Sequence, residues 1–118
     1  MKEVLVSLEV AKLAAEKGFD EKCRYCYGVD VKLYEGLNIE LSNSDLPVGD
    51  ISAPTQSFLQ KWLREVKDTD IFVLPFDVND YSVDVYTGND EDVGNNINYS
   101  TYEEALENGL KIALEGLK

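Results

Sequence analysis

Cys23-Arg24-Tyr25-Cys26 is the segment whose spacing could carry redox or metal chemistry. A reactive CxxC places its thiol at a helix N-terminus, where the dipole lowers the thiol pKa. Here the pair follows a helix-like stretch and leads into strand-like sequence, and residues three apart in a strand point to opposite faces, which opposes a disulfide. A zinc site asks for four ligands, and with no histidine and no second cysteine pair the chain would have to add carboxylates. Structural cysteines are the expectation, with a redox role for Cys23 and Cys26 the lesser alternative and no metal ligands assigned.

Asn89-Asp90-Glu91-Asp92-Val93-Gly94 invites comparison with a calcium loop, which needs oxygen ligands at alternate positions, then glycine, then a glutamate in twelfth place. Counted from Asn89, Val93 falls on the fifth position and Ser100 on the twelfth; counted from Asp90, glycine comes one place early. The register fails both ways, leaving a solvated acidic loop. General acid–base catalysis needs a positioned proton carrier. Histidine is absent, no spacing singles out a carboxylate pair, and no phosphate cradle or nucleophile elbow occurs. The chain therefore reads as a non-enzyme without catalytic residues or cofactor.

The charge layout is more informative. Of 118 residues, 23 are acidic and 11 basic, a net charge of −12. Residues 1–67 are nearly neutral, with nine bases against eleven acids, whereas Asp68 to Leu110 contains no Lys or Arg and eleven acids. Such a field repels phosphate backbones and anionic membranes, so neither direct nucleic-acid binding nor membrane binding is expected. It favours encounter with a basic protein partner. Asp77, Asp80, Asp84, Asp90, Glu91 and Asp92 are the candidate contact residues. An acidic DNA mimic is the alternative, and a small redox or metal protein using Cys23/Cys26 or the Asp90 loop is the third reading. No run of about eighteen apolar residues is present, and Glu9 and Lys12 interrupt the N-terminal apolar stretch, so a cytoplasmic protein is expected.

These residues need elements to position them. Leu8 to Lys17 reads as an amphipathic helix with Ser7 as N-cap and Gly18 just past its end. Val29–Tyr34 and Leu37–Leu41 alternate around Glu35-Gly36, predicting a β-hairpin. Ser52-Ala53-Pro54-Thr55 opens a second helix, with Pro54 in its first turn and Phe58, Leu59, Trp62, Leu63 and Val66 on its buried stripe. Ile71 to Phe76 is apolar on both faces, the pattern of a central or helix-covered strand. It turns through Asp77–Asp80 into the alternating run Tyr81–Tyr86. Thr87 to Asn98 is a loop. A last helix starts at Ser100 or Thr101, with Thr101 and Glu104 spaced as a capping box. Its Tyr102, Ala105, Leu106, Leu110, Ala113 and Leu117 face inward, Glu107 faces outward, and Gly109 marks a close approach. Six tyrosines lie near polar stretches (Tyr25, Tyr27, Tyr81, Tyr86, Tyr99, Tyr102) and suit sheet packing better than an interface.

The expectation is a single α+β domain over residues 1–118, in the order α-ββ-α-ββ-α, with an antiparallel sheet of about four strands and three helices packed on it. Ser52-Ala53-Pro54-Thr55-Gln56-Ser57-Phe58-Leu59-Gln60-Lys61-Trp62-Leu63-Arg64-Glu65 resembles a segment that recurs in small phage- and prophage-associated proteins of gut bacteria. Lys17-Gly18-Phe19-Asp20, Cys23-Arg24-Tyr25 and Tyr102-Glu103-Glu104-Ala105-Leu106 are similar to that group as well. The resemblance implies a mobile-element origin and carries no activity or site residue with it.

Overall fold

The computed structural model describes residues 4–35, 42–47, 49–87 and 97–117. Three helices, α1 (Leu8–Glu16), α2 (Gln56–Val66) and α3 (Tyr102–Glu115), pack with five strands: β1 (Tyr25–Tyr27), β2 (Leu33–Glu35), β3 (Ile51–Ser52), β4 (Asp70–Asp77) and β5 (Asp80–Tyr86). The α+β class is as expected. The strands, however, form two antiparallel sheets, β2-β1-β3 and β4-β5, where one sheet of about four strands was expected.

The helix ends follow their caps. Ser7 Oγ accepts the Val10 N–H at 3.3 Å, and Gly18 takes the left-handed conformation (φ 95°) just past α1. Thr101 Oγ1 accepts the Glu104 N–H at 3.1 Å, placing the start of α3 as the sequence indicates. The opening of α2 differs: Thr55 is its N-cap, accepting the Phe58 N–H at 3.1 Å. Pro54 therefore lies before the helix, and its carbonyl accepts the Val6 N–H at 3.0 Å. Residues 4–6 run beside 54–56, and the Gln56 N–H donates to Val4 O at 2.8 Å.

The first hairpin is also shifted. Tyr25–Tyr27 pairs with Leu33–Glu35, and Val29 and Val31 stand exposed in the turn between them. The cause is Asp30. Its carboxylate accepts the Lys32 N–H and the Tyr34 hydroxyl, a local side-chain-to-backbone bond that competes with strand pairing. Val31 sits at φ 59° to close the turn. The expected second strand, Leu37–Leu41, and the turn residue Gly36 lie outside the described residues.

One core joins the elements. Val10, Ala11 and Ala14 of α1, Leu59, Trp62 and Leu63 of α2, and Leu106, Leu110 and Leu114 of α3 are buried with Ile71, Val83 and Val85. Phe19 closes one end, edge-on to Trp62 at 5.2 Å between ring centroids. Gly109 is the close approach the sequence suggests: a Cβ there would lie 2.6 Å from Val83 Cγ2 and 2.8 Å from Ile71 Cγ2. Four expected positions on the helices differ. Phe58, Val66 and Tyr102 are exposed, Tyr102 meeting the Tyr81 ring edge-on. Glu107 turns inward: its carboxylate accepts the Ser7 N–H at 2.9 Å and the Gln56 side-chain amide at 3.0 Å. The same amide of Gln56, itself buried, donates to Glu103 O at 3.0 Å, so this bond set ties the starts of α1 and α2 to α3.

Candidate interaction surface

The hairpin β4–β5 carries Asp77, Asp80 and Asp84; Asp90, Glu91 and Asp92 lie outside the described residues. Asp77 and Asp80 face each other across the turn. The turn closes on Asn79, at φ 57°, a left-handed value that asparagine tolerates better than most residues. Asp77 Oδ1 accepts the Val78 N–H at 2.8 Å.

Period-two alternation gives the hairpin two different faces. Ile71, Val83 and Val85 point inward and are buried, and α3 packs against both strands. Phe72 and Leu74 point the other way, 48% and 41% exposed. Their cross-strand partners are Asp84 and Ser82, and Asp70 lies opposite Tyr86; directly opposed residues share a face. The Phe72 and Tyr86 rings meet edge-on at 5.6 Å. Towards the turn, one extra residue on β4 between Pro75 and Asp77 shifts the register. That residue is Phe76, 69% exposed. The outer face is therefore apolar and aromatic, with carboxylates set beside and beyond it. Sequence reasoning found the carboxylates and missed the apolar residues, because an unbroken apolar run such as Ile71–Phe76 does not tell a covered face from an open one.

No cation is paired with these carboxylates among the described residues. Among the described residues the ion pairs are Arg24–Glu35 at 2.9 Å and Lys111–Glu9 at 2.7 Å. Lys17 Nζ donates to Leu117 O, and Lys67 Nζ lies 5.5 Å above the Trp62 ring. None of these pairs reaches Asp70, Asp77, Asp80 or Asp84, so the negative charge of the hairpin is not cancelled by a salt bridge among the described residues.

The cysteines occupy a different region. No disulfide joins Cys23, which is buried, to the half-buried Cys26. Cys23 Sγ lies 3.5 Å from Glu21 O. Burial pushes the Cys26 thiol above its ordinary range, and the Asp50 carboxylate adds to the rise, opposite to what a redox thiol needs. Among the described residues no three His, Cys, Asp or Glu side chains converge as metal ligands. A groove of about 960 Å³ runs past Cys23, between residues 4–5, β1, β2 and the start of α2, lined by Leu5, Tyr25, Leu33, Pro54 and Phe58. Arg24 on its wall is held by Glu35. Among the described residues no helix is long and apolar enough to cross a membrane. No protein-family model, curated protein or solved structure matches the chain.

Proposed function

We propose that the chain is a non-enzymatic protein-interaction module of phage or prophage origin that binds a basic partner through the outer face of β4–β5. One observation carries the reading: Phe72, Leu74 and Phe76 are exposed on a hairpin whose carboxylates (Asp70, Asp77, Asp80 and Asp84) make no salt bridge among the described residues. Exposed apolar area clustered on one element marks an interaction site, and an uncancelled field of one sign speeds encounter with a partner of the other. The mobile-element origin rests on the Ser52–Glu65 resemblance. Apolar rings set among the carboxylates support a protein partner above mimicry of a phosphate backbone, which would present charge alone.

The test is retention of host or phage proteins on the immobilised chain, compared with a variant carrying Asp77→Lys, Asp80→Lys and Asp84→Lys. Basic proteins retained by the native chain, released by salt and lost in the variant, are the expected result. Equal retention by both forms overturns the proposal.

A further inference from the structure

Building on the proposed interaction face, we infer that the segment it accepts is an amphipathic helix with lysines or arginines flanking an aliphatic stripe, laid flat on the outer face of β4–β5 and not added as a further strand. The outer edge of β4 opposes strand addition. The backbone N–H and C=O of Tyr81 both bond to Tyr99, at 2.8 and 2.7 Å, so Tyr81 and its partner Pro75 turn their main chain away from each other. By the same alternation Ile71, Val73 and Pro75 present the outer edge of β4. Gln60 already donates to Ile71 O at 2.9 Å, and Pro75 has no N–H to give. Of these three positions, Val73 alone keeps both an N–H and a C=O for an incoming strand. On the β5 edge, Tyr99 occupies Tyr81 at the turn end, and the same alternation leaves Val83 and Val85 as its open positions.

The face offers what the β4 edge does not. α3 already lies along the inner side of the same two strands, its Gly109 against Ile71 and Val83, so the hairpin has the geometry on which a helix packs. A sheet with apolar residues on both faces is stable when each is covered, and here one is open. From Asp70 to Phe76 the strand spans roughly 20 Å, about four helical turns. Asp70 and Asp84 sit within the face and Asp77 and Asp80 at its turn end, which places Lys or Arg along and beyond the helix stripe. A second copy of this chain is a poor occupant: stacking two such faces sets aspartate against aspartate, and like charges in contact are unfavourable.

The decisive probe is a displayed library of random peptides of about 16 residues, roughly 24 Å long as helices, selected against the native chain. The expected winners carry aliphatic residues at i, i+3 and i+4 with Lys or Arg beside them, and gain helical circular dichroism on binding. Phe72→Ser and Phe76→Ser each weaken them about tenfold or more, in proteins whose own unfolding midpoint shows that they remain folded. Basic winners with alternating i, i+2 patterns and no helicity overturn the helix and leave the basic-partner reading standing. Acidic winners, or none, overturn both. A concentration-dependent dimer abolished by the same substitutions assigns the face to a second copy and overturns the inference.

Discussion

The two faces of β4–β5 are built from the same strands and differ in what surrounds them. Inward, Ile71, Val83 and Val85 are sealed under α3. Outward, Phe72, Leu74 and Phe76 face solvent beside carboxylates. Apolar residues on the inner face hold the fold, because each is withdrawn from water against fixed neighbours. Those on the outer face keep between 41% and 69% of their surface in water, so they contribute less to stability and their chemistry is available to something else. The contrast makes a simple division: substitutions inside cost stability, and substitutions outside cost binding.

The largest effect is expected inside. Leu110→Ala removes a fully buried side chain from the α3 face and should cost about 2–5 kcal/mol, read as a lower urea midpoint with unchanged slope. Next is the Gln56 bond set. Gln56→Ala leaves the inward carboxylate of Glu107 without one of its donors and should cost about 1–3 kcal/mol. A loss below about half a kcal/mol would mean that Ser7 and solvent satisfy that carboxylate alone. Gly109→Ala tests how tight the inner face is. Alanine gains about 1 kcal/mol in helix propensity, but its Cβ would press on the branched side chains of Val83 and Ile71, an overpacking cost of about 1–3 kcal/mol. A net loss is expected; a gain in thermal midpoint would show that β4–β5 can slide away from α3.

Away from the hairpin, Tyr27 supplies a pH-dependent contribution. Its hydroxyl donates to Val6 O at 2.8 Å, and burial, with the Glu107 carboxylate behind it, raises its pKa. A raised pKa means the folded state favours the neutral phenol, so this stability is fully present below the unfolded value of about 10 and is lost as pH climbs past it. Urea unfolding between pH 8 and 11 should show a steeper decline for the native chain than for Tyr27→Phe. Parallel curves would remove Tyr27 as the cause.

How far the residues announce this arrangement varies with the kind of signal. Ser7, Gly18 and Thr101 mark helix ends through bonds made within a few residues, and those ends are where the sequence puts them. Asp77–Asp80 is legible for the same reason, and Gly109 because a glycine inside a helix marks a close approach, although the sequence does not name the neighbours, Ile71 and Val83. The first hairpin was misread because the Asp30 carboxylate bonds the Lys32 N–H and turns the chain inside a run that alternates like a strand. Glu107 was misread because its partners lie 51 and 100 residues away, beyond any local pattern. The candidate surface was half legible. Charge is visible in composition, whereas whether Phe72 and Leu74 are covered depends on how many strands join the sheet, a tertiary outcome. The same dependence divided the expected single sheet into two.

The smallest expected effect tests the contrast most directly. Leu74→Ser should cost about 1 kcal/mol, well under the loss at Leu110, because only part of its side chain is withdrawn from water. Leu74 is 41% exposed and opposed by Ser82, so no cavity opens and no donor is stranded. Phe72→Ser gives up a ring contact with Tyr86 as well, which adds about 0.5–1.5 kcal/mol, and so should stand slightly below it. If Leu74→Ser instead unfolds the chain as Leu110→Ala does, the outer face is structural and the division between the two sides of the hairpin fails. If stability holds while binding of basic helical peptides falls, the same strands serve the fold on one side and recognition on the other.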